Sequence, residues 1–179
     1  MPISSLPSRE RELVAAAVAF ANLKPIETNR QVEDLFGIAE ADRIGEDNSL
    51  YRAELQPVLR RWLGQVIRGN GGRAQTSLEI AHLMPGSIVA APVFVADRLS
   101  YAFRLPSVEA GCILALALIL DENRGLTGRL QQCTLSWCGR YNVDFDAQAR
   151  PRKYCSPNHR MLAQYEQSPE RMRQWRKAA

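Results

Sequence analysis

Three cysteines and one histidine in the last third of the chain have side chains that bind metal ions. Four residues separate Cys133 from Cys138, sixteen separate Cys138 from Cys155, and three separate Cys155 from His159. Three thiolates and one neutral imidazole suit tetrahedral Zn²⁺, and these intervals are close to those of structural zinc sites. We therefore expect one structural zinc ion with four protein ligands and no open position for a catalytic water.

Other interpretations of these residues remain open from the sequence. The four could be unrelated core and surface positions, and iron–sulfur ligation is an alternative, although it normally uses four thiolates. His82, Asp144 or a partner chain could supply the fourth ligand in place of His159. The remaining cysteine, Cys112, lies in an apolar segment, where a buried structural thiol is expected.

The residues between the ligands predict the local structure that would hold them. Gly139 permits a tight turn directly after Cys138. The alternation in 141–145 predicts a strand, and 151–154 predict the return strand of a hairpin that ends at Cys155.

A helix start follows the third cysteine. Ser156 is suited to the N-cap and Pro157 to the first helical position, so His159 should lie in the first turn. The predicted order is a tight turn that carries the first cysteine pair (a zinc knuckle), then a hairpin, then a helix. This is the order of a treble-clef zinc module.

Residues 1–125 predict a mostly α-helical domain with one β-hairpin at about 88–105 and a turn at 97–98. Apolar spacing and end signals, including Ser107 as an N-cap and Gly37 as a helix stop, predict helices at 8–23, 29–36, 49–67, 73–84 and 108–122. Pro57 should break the third of these near Gln56 or kink it, and GNGG at 69–72 predicts a flexible turn. The predicted fold class is α+β: a mostly helical N-terminal domain with one β-hairpin, followed by a treble-clef-like zinc module at 126–179.

Charge separates the two regions. Residues 1–122 carry 12 basic and 15 acidic residues, a net charge of −3, whereas 123–179 carry 11 and 4, a net charge of +7, which together give the +4 of the whole chain. Only three of the 23 basic residues are lysine, and the planar donors of arginine bind phosphate oxygens in pairs. A GC-rich genome would also explain the excess of arginine.

The sequence predicts a cytoplasmic protein without membrane contact. Its longest apolar run, Cys112 to Leu120, is roughly half of the ~20 residues that a membrane-spanning helix needs. The first residues lack the pattern of a secretory signal, so the four cysteines predict thiols or metal ligands rather than disulfides.

The C-x4-C pair, the aromatic–apolar strand after it and the run RPRKYCS at 150–156 resemble the CGNR-type zinc finger of bacterial regulators. The segment LVAAAVAFANL at 13–23, the predicted hairpin and the long helix after it are similar in outline to the ABATE domain that usually precedes this finger. The Cys-Gly-Asn-Arg signature is absent, because a histidine, His159, stands one residue early in place of the second cysteine. The resemblance implies a DNA-binding transcriptional regulator and assigns no catalytic residue.

We expect the basic module to bind nucleic acid, with DNA favoured over RNA. Trp137, Tyr141, Tyr154 and Trp175 could stack on bases or fill the small core of the module. The candidate phosphate-contacting residues are its basic side chains: Arg140, Arg150, Arg152, Lys153, Arg160, Arg171, Arg173, Arg176 and Lys177.

Two other function classes compete with this one. The first is a non-catalytic adaptor subunit that docks through the zinc module onto a larger nucleoprotein complex, so that the basic residues meet an acidic protein surface or bound RNA. The second, an enzyme, is not favoured, because the chain has no phosphate-binding glycine loop, GxSxG or HExxH motif. The basic run could also be a solvated helix end, where cations complement the helix dipole.

Overall fold

The computed structural model describes residues 8–23, 29–38, 54–83, 89–95, 98–145 and 151–166, together with Ser168, Glu170, Arg173 and Lys177; for Asn29, 82–83, 89–95 and 98–104 it describes the backbone. The elements in chain order are α1 (Ser8–Asn22), α2 (Asn29–Phe36), α3 (Gln56–Ile67), α4 (Asn70–Leu83), β1 (Val89–Val95), β2 (Arg98–Arg104), α5 (Val108–Leu120), a 3₁₀ turn (Glu122–Arg124), β3 (Leu130–Gln132), β4 (Tyr141–Val143) and α6 (Pro157–Glu166). The predicted mixture of helices with one β-hairpin in the N-terminal region is confirmed.

The second helix ends where its glycine predicts. α2 stops before Gly37, whose φ of +65° is a left-handed conformation that glycine adopts readily. The N–H of Gly37 donates to the C=O of Asp34, and the N–H of Ile38 donates to the C=O of Glu33 (both 3.0 Å). These bonds satisfy carbonyl groups that the helix end would otherwise leave unpaired.

Pro57 marks the start of the third helix. α3 begins at Gln56, and the proline lies in its first turn. The chain is not broken here: Glu54 and Leu55 form a π-helical turn that runs directly into α3, and Leu55 has right-handed helical angles (φ −83°, ψ −40°). The proline therefore marks a change of helix type among the described residues.

The predicted turn at 69–72 is wrong for most of its length. Gly69, with φ +105°, lies outside a helix, but α4 begins at Asn70 and contains the next two glycines. A Cβ on Gly72 would lie 2.1 Å from the C=O oxygen of Gln65. Gly72 is therefore needed for the close packing of α4 on α3, a requirement that depends on the tertiary structure.

The first hairpin forms as predicted. β1 and β2 pair antiparallel from Val89 opposite Arg104 to Val95 opposite Arg98. Because Arg98 belongs to the ladder, it is not part of the turn; the connecting residues 96–97 lie outside the described residues.

Helix α5 forms the centre of the hydrophobic core. Its predicted cap is confirmed, because the Oγ of Ser107 accepts the N–H of Ala110 (3.2 Å). The helix packs against α1, α2, α3 and α4. Gly111 brings it close to α2, since a Cβ there would lie 2.5 Å from Cδ1 of Phe36. Cys112 is fully buried, and this burial raises the pKa of its thiol, which confirms the predicted structural cysteine.

The second hairpin differs from the prediction. β4 pairs antiparallel with β3, so the cysteine pair lies in the loop between these strands, and the predicted return strand at 151–154 is irregular. This pairing buries Leu130 and Tyr141 against the helical core. That burial favours the pairing of β4 with the segment that precedes the cysteines. The predicted domain boundary at 125/126 stays a prediction, and Leu126, just after it, is part of the same core.

Candidate metal centre

The first two candidate ligands lie in the loop 133–140, here called the knuckle loop, which joins β3 to β4. The N–H of Cys133 donates to the C=O of Arg140 (2.8 Å), and the N–H of Cys138 donates to the C=O of Leu135 (2.9 Å). Gly139 then adopts φ +59°, a left-handed conformation that costs other residues about 1–2 kcal/mol. The predicted tight turn after Cys138 is therefore present.

The other two candidate ligands flank the start of α6. Ser156 caps this helix as predicted, because its Oγ accepts the N–H of His159 (3.2 Å). Cys155 directly precedes the cap, and His159 lies in the first turn. Thr134 of the knuckle loop holds the preceding segment, since its N–H and hydroxyl both donate to the C=O of Lys153 (3.0 and 3.2 Å).

These elements bring the four donor atoms together, all within 4.8 Å of one another. The Sγ atoms of Cys138 and Cys155 are 3.6 Å apart, too far for a disulfide, whose S–S bond is about 2.05 Å. Nδ1 of His159 lies 3.7 Å from Sγ of Cys133 and 3.2 Å from Sγ of Cys155. A tetrahedral ion with metal–sulfur bonds of 2.3 Å and a metal–nitrogen bond of 2.0–2.1 Å requires donor separations of about 3.5–3.8 Å. The four side chains are thus positioned to hold a metal ion.

Burial and hydrogen bonding act on the thiols in opposite directions. Burial raises the pKa of Cys133, but hydrogen bonds from the backbone N–H groups of Cys155 and Leu135 and from the side chains of His159 and Cys138 together stabilise the thiolate more, so that this pKa falls to about 7. Burial raises the pKa of Cys155 to about 12, with further contributions from Cys138 and Cys133 beside it. Three thiolates at this distance repel one another, so a cation is needed to keep all three deprotonated.

The ring of His159 is oriented toward the thiols by the knuckle loop. The ring of Trp137 meets it edge-on, with centroids 5.2 Å apart and an interplanar angle of 64°. The indole Nε1 of Trp137 in turn donates to Oε1 of Glu166, near the end of α6 (3.2 Å).

The alternative fourth ligands are not part of this cluster. Asp144 is buried elsewhere, with its Oδ2 3.7 Å from Nε of Arg152. The side chain of His82 lies outside the described residues. Among the described residues, the candidate cluster consists of the three cysteines and His159.

A polar contact that the sequence analysis missed holds the site against α1. Oδ1 of Asn22 accepts the N–H of Tyr141 (2.8 Å), and its Nδ2 donates to the C=O of the same residue (2.7 Å). The amide of Asn22 therefore pairs with the backbone of β4 as a neighbouring strand would. Nothing in the spacing of the sequence marks this residue, which follows the apolar stripe of α1.

A second missed residue, Arg60 on α3, extends this contact. Its Nη1 donates to the C=O of Ala21 (2.8 Å), and its Nη2 donates to the C=O of Gly139 (3.1 Å). The guanidinium also lies 5.5 Å from the ring centroid of Tyr141, whose hydroxyl donates to the C=O of Arg60 (2.9 Å). Asn22, Arg60 and Tyr141 together form the joint between the helices and the knuckle loop.

The predicted phosphate-contacting residues are described in part. Nε of Arg152 faces Asp144, whereas Arg140, Lys153 and Arg160 are exposed and form no ion pair with any described residue. Arg173 and Lys177 are also exposed. Three further members of the predicted set fall outside the described residues: Arg150, Arg171 and Arg176. The nucleic-acid role of all nine stays a prediction.

No described helix combines the length and the apolar character that crossing a membrane requires. No protein-family model matches this sequence, and a comparison with curated proteins finds no significant match.

Proposed function

We propose that this protein binds nucleic acid, as a bacterial DNA-binding regulator, through a basic module that one structural zinc ion holds together. The observation that carries the proposal is the location of two features in one small module. The metal-binding side chains lie beside three exposed cations, Arg140, Lys153 and Arg160, that have no ion pair with any described residue. Cations of this kind bind phosphates and release counterions from the nucleic acid.

Zinc is the ion that the donor set suits best. Three thiolates and one imidazole favour a tetrahedral divalent ion, and the separations between the donor atoms are close to those of such a site. Protein atoms occupy all four positions, so the ion would join the knuckle loop to the start of α6 and would have no position for a reacting water. We therefore propose a scaffolding metal in a protein that is not an enzyme.

Two features support a treble-clef-like regulator in particular. The knuckle loop supplies two donors, and the other two come from Cys155, just before the cap of α6, and from His159 in the first turn, as the two ligand pairs of a treble clef do. The resemblance of 133–156 to the CGNR-type finger favours DNA, with His159 in place of the expected cysteine. In this proposal the helical N-terminal region senses a signal or assembles the protein, and the metal-bound module contacts the phosphates.

The test is a salt series with the full-length, zinc-loaded protein and labelled duplex or single-stranded DNA. Direct phosphate contacts predict that the logarithm of the affinity falls linearly and steeply with the logarithm of the salt concentration. A triple variant, Arg140→Gln with Lys153→Gln and Arg160→Gln, should bind more weakly, with a slope that is shallower by about one for each phosphate that the variant no longer neutralises.

A matched control removes the same charge from the helical region. Arg9→Gln with Arg30→Gln and Arg68→Gln changes three exposed arginines on or next to helices α1 to α3 and should leave affinity and slope close to those of the parent protein. Equal effects of the two triple variants would mean that net charge, and not this module, determines binding. A flat salt response, or no binding at low salt, would contradict the proposal and leave the adaptor function as the better explanation.

A further inference from the structure

The aromatic side chains of the zinc module differ in their exposure. Tyr141 is buried in the helical core, and Tyr154 is half-buried against the cysteine cluster. Trp137, in the turn of the knuckle loop, is 63% exposed. Trp175 lies outside the described residues. Of the three described aromatic residues that the sequence offers for stacking, Trp137 is the one with most of its surface exposed.

The ring of Trp137 is held in place despite this exposure. Its edge contact with His159 and its hydrogen bond to Glu166 attach it to both ends of α6. A ring that is already oriented loses little conformational freedom on binding, so more of its contact energy appears as affinity.

Exposed cations lie on the segments around this ring. Arg140 ends the knuckle loop, the backbone of Lys153 is hydrogen-bonded to that loop, and Arg160 directly follows His159. The carboxylate of Glu166 next to the indole disfavours a phosphate on the ring itself. An uncharged flat group on the ring, with phosphates on either side of it, matches this distribution of charge.

We propose that Trp137 stacks on an unpaired base of a single-stranded nucleic acid, while the neighbouring cations hold the phosphates that flank this base. The inference rests on the proposed function and specifies its ligand. In a duplex the faces of each base are covered by its neighbours, so an aromatic ring reaches a base face where the strand is unpaired. A protein partner would cover the ring but would need acidic groups to pair with the cations.

The test compares two chains with the same number of phosphates, a short oligothymidylate and an abasic deoxyribose-phosphate chain of equal length. Binding to the full-length, zinc-loaded protein is measured by fluorescence anisotropy. Trp137→Ala should weaken binding to the oligothymidylate by about tenfold, as the loss of one base–aromatic stack does, and should leave binding to the abasic chain unchanged. Trp137→Phe keeps a ring and should bind the oligothymidylate nearly as well as the parent protein. Leu78→Ala, a control at an exposed apolar residue of α4, should change neither affinity.

The zinc content of each variant is measured alongside, because Trp137 also contacts His159. Equal weakening on both chains would mean that Trp137 only maintains the fold, and no weakening on either would mean that it is not a contact. Both results overturn the inference. It is also overturned if Trp137→Ala weakens binding to duplex DNA as much as it weakens binding to the oligothymidylate. If the parent protein binds neither chain nor duplex at low salt, the proposed function fails and this inference fails with it. Binding that depends on salt but not on Trp137 would refute this inference and would leave the proposed function standing.

Discussion

The helical core and the metal cluster are stabilised in different ways. The core around α5 consists of fully buried apolar side chains, among which Trp62, Phe20 and Ile113 are some of the largest. Among the described residues, the cluster buries only Leu135 and Ala163 besides Cys133. Burial at about 25 cal/mol per Å² can stabilise the first region but not the second, which contains too little apolar surface. A metal ion held by the four side chains would supply the free energy that apolar burial does not provide at the cluster.

The joint between the two regions is stabilised in a third way, by polar contacts. Asn22, Arg60 and Tyr141 connect them through hydrogen bonds to backbone groups of partly buried segments. Such bonds contribute modestly when they form, but they are costly when one partner is removed and the other stays buried. Damage to the joint itself should therefore affect both regions.

Loss of the metal should have the largest effect and should stay local. Cys155→Ala removes one of four donors, and structural zinc sites contribute about 10–16 kcal/mol of apparent binding free energy. We expect the zinc content, measured by elemental analysis, to fall from one ion per chain towards zero. Hydrogen exchange should become faster in 133–166, while the helical circular dichroism of the core is retained.

The fourth cysteine provides the matched control for this change. Cys112→Ala removes a thiol that is buried in the core, outside the cluster, and should retain the full zinc content. Full zinc in Cys155→Ala would refute the ligand set. Unchanged zinc affinity in His159→Ala would remove the histidine from it.

Damage to the core should come next in size and should leave the metal bound. Trp62 is 1% exposed, and its Nε1 donates to Oε2 of Glu79 (2.6 Å). Trp62→Ala should lower the free energy of unfolding by about 3–5 kcal/mol, because it leaves a cavity between α3 and its neighbours. Chemical denaturation measures this change, and Leu78→Ala serves as the exposed control. If the Trp62→Ala variant loses zinc under conditions where the variant is folded, zinc binding at the cluster is not independent of packing in the core.

Damage to the joint should have the smallest effect but should reach both regions. Asn22→Ala removes the partner of the N–H and C=O of Tyr141 and should cost about 1–3 kcal/mol of stability. We expect a lower melting temperature together with weaker zinc binding in a chelator competition. Asn123→Ala, at an exposed asparagine, should change neither quantity. A lower melting temperature with unchanged zinc affinity would mean that the joint does not couple the two regions.

The helix ends illustrate what can be predicted from short stretches of sequence. Ser107, Gly37 and the Ser156–Pro157 pair each lie at the helix boundary that was predicted from them. Their effects depend on backbone groups only a few residues away, so a short window contains the necessary information. The intervals between the cysteines are informative for a similar reason, because the metal-binding character belongs to the residue types themselves.

The second hairpin illustrates the opposite case. The alternation in 141–145 correctly indicates a strand but does not identify its neighbour, and the segment 151–154 was the wrong choice. Strand pairing depends on which combination buries the apolar faces, and here the helical core selects β3 by burying Leu130 and Tyr141 together. The roles of Asn22 and Arg60 could not be predicted for the same reason, because each acts on a residue about 80 or more positions away.

The sequence by itself determined the helix ends at Gly37, Ser107 and Ser156, the first hairpin, the basic character of the C-terminal region and the residue types of the metal site. Only the tertiary structure decided that Nδ1 of His159 meets the thiol of Cys133 across 26 positions of the chain, and that Trp137 is exposed whereas Tyr141 is buried. The physical reason is the range of the interactions. Capping and backbone preferences act within one turn, whereas burial, strand pairing and the convergence of ligands depend on contacts between segments that no short window of sequence contains.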